Sequence, residues 1–371
     1  MRIPEGVREV IGKRLDRLSD ACNHALTIAA VIGRQFTLRQ LGLLISDVAT
    51  ERLVEALEEA LAARVIEEIA GSIDHYQFTH ALIGETLAAE LSTTRRVRLH
   101  AQIGAALEML YASHIETHAA ALAHHFAEAS SLIGNEKLVG YSILAGESAL
   151  AAYAYEEALD HFERALAAKE SDAMDAQTAN ILFGIGCSQM GMLERLQFTK
   201  AVESFRKAFD CFVELGDIAR AVAIAVYPFP HFPGLEGEIA QFVTRALPLV
   251  PNDSIDAAKL LSRNGRILGI HQADPAVARD AFSKALDIAR RHADTVLEIR
   301  TLASATYIDF FQLRYSEAIV TGERAIVLAE NTEELAAGLT ARYWVGSRLR
   351  DLGDFDGLRA NAFSALPAEE K

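Results

Sequence analysis

The segment Tyr155-Glu156-Glu157-Ala158-Leu159, followed by Phe162 and Ala165-Leu166, decides the fold because its arrangement returns along the chain. The same arrangement recurs around Ala201, Ala278 and Ala318. The alanines at the position of Ala158 follow one another at intervals of 43, 77 and 40 residues, and the middle interval is long enough for two units. A period of this size indicates a repeat architecture in which each unit stacks on its neighbours.

Small residues at fixed places let paired helices approach closely, while tyrosine and phenylalanine fill the gaps between pairs. This logic is that of tetratricopeptide (TPR) repeats, whose units have about 34 residues, so the helices or turns here are longer than standard. We therefore predict a TPR-like α-solenoid over residues 131–371. Its helical hairpins, about six in number, are expected at 137–170, 174–215, 217–250, 254–292, 294–330 and 333–366.

Composition agrees with a helical chain. Of the 371 residues, 51% are hydrophobic and 23% charged, but only 7% are aromatic and 8 are proline. Such a mixture favours helix over an all-β sandwich or barrel. The net charge of −15 repels phosphate backbones, so nucleic-acid binding is not expected of this region alone.

Three features of the sequence indicate the cellular compartment: the cysteines, the N-terminal segment and the hydropathy pattern. Cys22, Cys187 and Cys211 are odd in number and far apart, which suits a reducing cytosol rather than a disulfide framework. We find no signal-peptide pattern and no run of 18 apolar residues. The sequence thus predicts a cytoplasmic protein without membrane contact.

Residues 1–130 have a different organisation from the repeats. Helical patterns near residues 22–32, 37–45 and 49–63 are followed by an alternating pattern over 65–78, with Gly71 in its turn. Three helices followed by a β-hairpin is the order of a winged helix. The predicted fold class is therefore mostly α, with a helical arm and small winged-helix domain over 1–130 and the TPR-like repeats after it.

Motifs for catalysis are missing from the sequence. It has no P-loop, no Gly-x-Ser-x-Gly elbow and no His-Glu-x-x-His, so we do not expect an enzyme. Seven of the 12 histidines lie between residues 75 and 125, and His114, His118 and His125 have a spacing that would share one helix face. These are either packing residues or the ligands of a metal-dependent enzyme. No particular metal site is assigned.

Two further groups of residues are candidates for contacts. Arg95, Arg96 and Arg98 form a basic patch at a helix start, expected at an interdomain interface. Direct DNA binding by the winged helix is the alternative, but its third helix is acidic, which opposes it. A stiff aromatic loop could line a partner or ligand groove with Tyr227, Phe229, His231 and Phe232, or could only fill a gap between repeats.

Several segments resemble, in the same order, the part of bacterial STAND-class signal-transduction ATPases that follows the ATPase core. They include Ile3-Pro4-Glu5-Gly6-Val7-Arg8, Tyr76-Gln77-Phe78-Thr79-His80 and Leu122-Ala123-His124-His125-Phe126, together with residues 29–36 and 91–100. The resemblance covers residues 1–170 well and the remaining repeats more loosely.

The resemblance implies a function that composition alone does not. Such proteins combine an AAA-like ATPase, a winged helix and TPR repeats with a cyclase domain in front or a LuxR-type DNA-binding domain behind. The repeats would bind an inducer or partner protein and release an autoinhibited ADP state. ATP or ADP would belong to a nucleotide-binding domain that this chain lacks, and no cofactor is expected in the chain itself. In that class a winged-helix histidine contacts the ADP phosphate, and the matching position is His80.

Overall fold

The computed structural model describes residues 11–46, 48–170, 173–192, 195–229, 236–271, 275–332 and 334–364. The chain divides into two compact units, Met1–Ala173 with Cys187–Met192 and Met174–Gly186 with Leu193–Lys371. In both units α-helices dominate, as the composition predicted. No helix among the described residues is long and apolar enough to span a membrane.

The first unit contains a small sheet within a helical frame. Its elements are α1 (Asp20–Ile32), β1 (Gln35–Thr37), α2 (Leu38–Leu44), α3 (Thr50–Ala62), β2 (Ile66–Glu68) and β3 (His75–Phe78). The strand order is β1-β3-β2, and both pairs are antiparallel, with Gln35 opposite Gln77 and Ile66 opposite Phe78. The hairpin of β2 and β3 was predicted, whereas β1 was not, because three residues are too few to show a strand period.

Local signals in the sequence explain where these elements begin. The hydroxyl of Ser19 accepts a hydrogen bond from the backbone N–H of Cys22 and so caps α1. Thr37 and Gln40 form a reciprocal capping box at the start of α2. The buried rings of Phe36 and Phe78, with centroids 5.6 Å apart, then join the sheet to the core of this unit.

The remainder of the first unit is helical. It consists of α4 (Ala81–Ala89), α5 (Thr93–Leu110), a 3-10 turn at Ile115–His118, α6 (Ala119–Ile133), α7 (Glu136–Ala151) and α8 (Tyr155–Ala168). Helix α6 packs on both α5 and α7. The predicted boundary at residue 130 therefore falls inside α6, within one compact unit.

The helices that follow form the longer series of repeats. They are α9 (Ala176–Gly191), which has residues in both units, α10 (Arg195–Glu214), α11 (Ile218–Ala225), α12 (Glu236–Ala246) with a 3-10 turn at Leu247–Leu249, α13 (Ile255–His271), α14 (Pro275–Arg291), α15 (Thr295–Phe311), α16 (Tyr315–Ala329), α17 (Leu335–Leu352) and α18 (Phe355–Phe363). Each of the six predicted hairpins, from α7–α8 to α17–α18, contains two helices. In the second unit α13 packs on both α14 and α15, and α15 packs on both α16 and α17, as in stacked repeats.

The repeating alanines and phenylalanines are buried, but the repeated phenylalanine rings meet glycines within a hairpin rather than in the gaps between hairpins as predicted. Ala158, Ala201, Ala278 and Ala318 are all completely buried. On the first helix of three hairpins a glycine faces the repeated phenylalanine of the second helix. The pairs are Gly146 with Phe162, Gly186 with Phe205 and Gly265 with Phe282, and a Cβ at each glycine would lie within 3.1 Å of the ring. Close helix packing thus depends on these small residues.

Candidate functional site

A cavity of about 710 Å³ opens in the second unit among α11, α13 and the N-terminal part of α15. This volume lies in the range typical of sites for small organic ligands. Its walls come from three successive segments of the repeats. They are Ala219, Val222, Ala223, Val226, Pro228 and Phe229; Asp256, Lys259, Ser262, Arg263 and Arg266; and Asp294, Val296, Leu297, Arg300 and Ser304.

One wall of the cavity is apolar and firmly held. Phe229 is buried, and its ring centroid lies 5.2 Å from that of Phe205 and 6.1 Å from that of Phe242. Because aromatic rings at these separations attract each other and bury a large area, Phe229 has a defined position. With Val222 and Val226 beside it, it offers an apolar surface to a ligand.

A second group of wall residues carries positive charge. Lys259, Arg263 and Arg266 are four and three residues apart on α13, so they follow one face of that helix, and Arg300 joins them from α15. Two of these cations have carboxylate partners. Lys259 Nζ lies 2.9 Å from Asp256 Oδ1, and Arg300 Nη2 lies 2.7 Å from an oxygen of Glu334.

The other cations, Arg263 and Arg266, have no carboxylate partner among the residues that the structure describes. They lie over aromatic rings instead. The guanidinium carbon of Arg263 is 5.9 Å from the centroid of Phe229, and that of Arg266 is 5.2 Å from the centroid of Tyr307. The remaining acidic wall residue, Asp294, uses its side chain to cap α15 by accepting a hydrogen bond from the backbone N–H of Leu297.

Arg263 is the unusual residue of this wall. Its Nε is buried and has no hydrogen-bond partner in the described part of the chain. Burial, and secondarily the neighbouring charge of Arg266, lower the pKa of Arg263 to about 10. The side chain still carries its charge at neutral pH, so a poorly solvated cation faces the cavity without a carboxylate partner among the residues that the structure describes.

The predicted aromatic groove corresponds to this cavity in part. Phe229, one of the residues predicted for the groove, is among the residues that line the cavity. Tyr227 packs instead against Phe205 and Phe229, with centroids 4.9 and 5.0 Å away, which is the gap-filling role weighed for this loop. His231 and Phe232 lie outside the described residues.

The basic residues of the cavity wall were not predicted from the sequence, although the sequence contains a pattern that indicates them. Lys259, Arg263 and Arg266 form a cationic stripe at helical spacing in a chain of net charge −15. That stripe faces the predicted Phe229, and the two features together point to a binding site.

The first unit contains the other residues predicted to form contacts, His80 and the three arginines. His80 is exposed at the N-cap of α4, where its side chain makes no capping hydrogen bond. Arg95 and Arg98 are exposed and Arg96 is half-buried on the first turns of α5. We observe no ion pair of these three arginines with any described residue. Their interdomain role and the nucleotide contact of His80 stay predictions.

The histidines that come together differ from the predicted set. The 3-10 turn at Ile115–His118 interrupts the helical phase, and His118 stacks on Tyr111 with centroids 3.5 Å apart, so the expected face of His114, His118 and His125 does not form. Instead, ligand atoms of His100, His124 and His125 all lie within 4.8 Å of one another.

Two of these imidazoles are buried and form a hydrogen bond. The Nδ1 atoms of His100 and His125 are 2.9 Å apart. Burial lowers the pKa of His100 to about 4 and that of His125 to about 3, so both rings are neutral at pH 7. His125 also hydrogen-bonds the backbone carbonyl of Ile32.

No protein-family model matches this sequence, and neither does any curated protein. A crystal structure of a Signal Transduction ATPase with Numerous Domains (STAND) protein with a tetratricopeptide repeat sensor, from Pyrococcus horikoshii, is similar over 98% of this chain. The identity is 11% and the TM-score 0.49. This chain spans 59% of the length of that structure.

Proposed function

We propose that this chain is the sensor and scaffold portion of a STAND-type regulator. In this proposal the TPR-like repeats bind a small inducer or a partner protein. The first unit passes the bound state to a nucleotide-binding domain outside this chain, which would bind ATP or ADP. The observation that carries the proposal is the cavity of the second unit, where the unpaired cation of Arg263 faces the apolar surface of Phe229.

The element order of the first unit supports a winged helix as the connecting module. Helix α1, strand β1, helices α2 and α3 and the hairpin β2–β3 follow one another, and the three strands form one antiparallel sheet. His80 begins the helix directly after that hairpin and is exposed, so it is available to a phosphate of a docked nucleotide-binding domain. We assign Arg95, Arg96 and Arg98 to the interface between this unit and that domain.

A physical mechanism for the relay follows from linkage. A ligand shifts a two-state equilibrium only by the difference in its affinity for the two states. The cavity is built from three successive segments of the repeats, so a ligand that bridges α11, α13 and α15 favours whichever arrangement of these helices closes on it. The chain itself needs no catalytic residue for this role.

The first test asks whether the cavity retains small molecules. Purified chain is incubated with a small-molecule extract of the host cell, washed, denatured and analysed by mass spectrometry. Ala223→Trp places a large ring in the cavity, whereas Ala336→Trp places one on an exposed face of α17 as a control. We expect a compound that the wild type and Ala336→Trp retain and Ala223→Trp does not. Equal retention by all three proteins, or by none, contradicts the proposal.

The relay is tested by fusing the chain to the P-loop ATPase domain of a STAND-type protein and measuring ATP hydrolysis. The proposal predicts that the retained compound changes the hydrolysis rate of the joined protein. Ala223→Trp is expected to abolish this response without changing the basal rate. If the compound leaves the rate of ATP hydrolysis unchanged, the chain does not act as a sensor for it.

A second candidate function is metal binding by the first unit, which the grouping of His100, His124 and His125 favours. Neutral imidazoles are the form that binds Zn²⁺, and the hydrogen bond from His125 to the Ile32 carbonyl resembles the outer support of many zinc ligands. Elemental analysis after dialysis against Zn²⁺ tests it. Stoichiometric zinc that His124→Ala removes supports the candidate, and zinc far below one equivalent eliminates it.

A further inference from the structure

We infer that the cavity of the second unit takes a small organic anion, whose carboxylate or phosphate group binds Arg263 and Arg266 while its apolar part contacts Phe229. This inference rests on the proposed function, because it names the chemical class of ligand for the same cavity. It is more specific than the proposed function, which a neutral ligand would also satisfy.

Charge balance is the first argument. The cavity wall includes four cations and two carboxylates. Asp256 is paired with Lys259, Asp294 caps α15, and Arg300 is paired with Glu334 outside the wall. Arg263 and Arg266 therefore have aromatic rings but no carboxylate as partners among the described residues, in a protein whose net charge is −15.

Burial is the second argument. Removing a cation from water is strongly unfavourable unless a partner compensates it. Arg263 nevertheless has a buried Nε without a hydrogen-bond partner, and a second guanidinium adds repulsion nearby. A bound anion would supply the opposite charge that both guanidinium groups lack among the described residues, so its binding would lower the cost of burying them.

Geometry is the third argument. A guanidinium that lies over an aromatic ring keeps N–H donors for other acceptors, and their fork matches the two oxygens of a carboxylate or phosphate. Arg263 lies over Phe229, and Arg266 lies over Tyr307. These ring contacts restrict both side chains before a ligand arrives, which lowers the entropic cost of binding.

The cavity also limits the size and nature of the anion. Its volume of about 710 Å³ fits a small organic molecule rather than a polymer. Val222, Val226 and Phe229 require an apolar part next to the charged group. A neutral ligand would leave both arginines unpaired and would bury them further from water, so the site discriminates against it.

The experiment compares three matched probes on the full chain: benzoate, phenyl phosphate and neutral benzamide. Binding is measured by isothermal titration calorimetry and by the emission of the single tryptophan, Trp344. This reporter is suitable because its ring centroid is 5.0 Å from that of Tyr307, on which Arg266 lies. We expect at least one anionic probe to bind about tenfold or more tightly than benzamide.

Variants locate the site. Arg263→Met and Arg266→Met are each expected to weaken binding of the anionic probe about tenfold or more. The control is Arg245→Met, since Arg245 also lies over a buried ring, that of Phe209 at 4.9 Å, but belongs to no part of the cavity wall. Its affinity should equal that of the wild type. Urea unfolding of each variant establishes that it is folded before binding is measured.

The outcomes separate this inference from the proposed function. Equal binding of benzamide and the anions, lost in Ala223→Trp, overturns the anion inference but keeps the cavity as a ligand site. Anion binding that Arg263→Met and Arg266→Met leave unchanged also overturns the inference. Failure of every probe to bind overturns it as well, and the proposed function then falls only if the extract experiment also finds nothing retained.

Discussion

Replacing Arg263 by methionine should make the chain more stable while it removes the anion site. Methionine keeps most of the length and packing of the arginine stem against Phe229 but brings no charge into the cavity wall. Replacing buried charges by apolar side chains of similar volume is often stabilising. We therefore expect Arg263→Met to raise the free energy of unfolding of the second unit.

The magnitude follows from the environment of the guanidinium. Burial and Arg266 lower the pKa of Arg263 to about 10, against an ordinary arginine value of about 12.5. At about 1.36 kcal/mol per pKa unit, the charged form costs about 3 kcal/mol in the folded state. Because the side chain is only half-buried and the ring of Phe229 compensates part of this cost, we expect a net gain of about 1–3 kcal/mol. The pKa exceeds 9 in both states, so the gain should be the same from pH 6 to pH 8.

Urea unfolding followed by Trp344 emission measures this gain, since the single tryptophan lies in the second unit. Arg245→Met is the matched control. Arg245 is exposed, and it is paired with Asp210 at 2.7 Å, so its loss should change stability by less than about 1 kcal/mol. A destabilisation of Arg263→Met by more than 1 kcal/mol, with an unchanged urea slope, would refute the idea that the cation is uncompensated.

Two further predictions concern the first unit. Gly146→Ala should destabilise it by about 1–3 kcal/mol because a Cβ there would lie 2.8 Å from the ring of Phe162. The control is Gly140→Ala on the same helix, where a Cβ would have nothing within 4 Å, and it should stabilise the unit by up to about 1 kcal/mol. Equal effects of the two variants in urea unfolding would contradict the packing account. Two hydrogen bonds from Ser19 lower the pKa of Glu59 below its ordinary 4.5, so the stability they add is present above that pH and lost as the pH falls below it. Glu59→Gln should therefore flatten the stability profile between pH 5 and pH 3, and an unchanged profile would show that the hydrogen bonds contribute nothing.

The repeats could be predicted because their packing requires a regular sequence. A ring such as Phe205 fits closely against the facing helix where the residue there is as small as Gly186, and this pairing returns in three of the hairpins. The helices and the turns between hairpins can therefore be predicted from a single sequence. Strand β1 was not visible, because its three residues are fixed by pairing with β3, a contact 40 residues away.

The candidate site could be predicted only in part. The stiff segment after α11 indicated Phe229, since aromatic residues beside prolines stand out in an Ala-rich helical chain. The packing of α13 on α11 determines which residues face Phe229. No local sequence pattern in either helix indicates this long-range contact. The same limit applies to His100 and His125, whose Nδ1 contact joins α5 and α6.

Hydrogen exchange of the full chain, with and without phenyl phosphate, tests the central claim most directly. If the repeats hold an anionic ligand between α11, α13 and α15, exchange should slow in residues 219–229, 256–266 and 294–304, and Arg263→Met should abolish the slowing. Slowed exchange confined to other helices, or the same slowing in Arg263→Met, would contradict the claim.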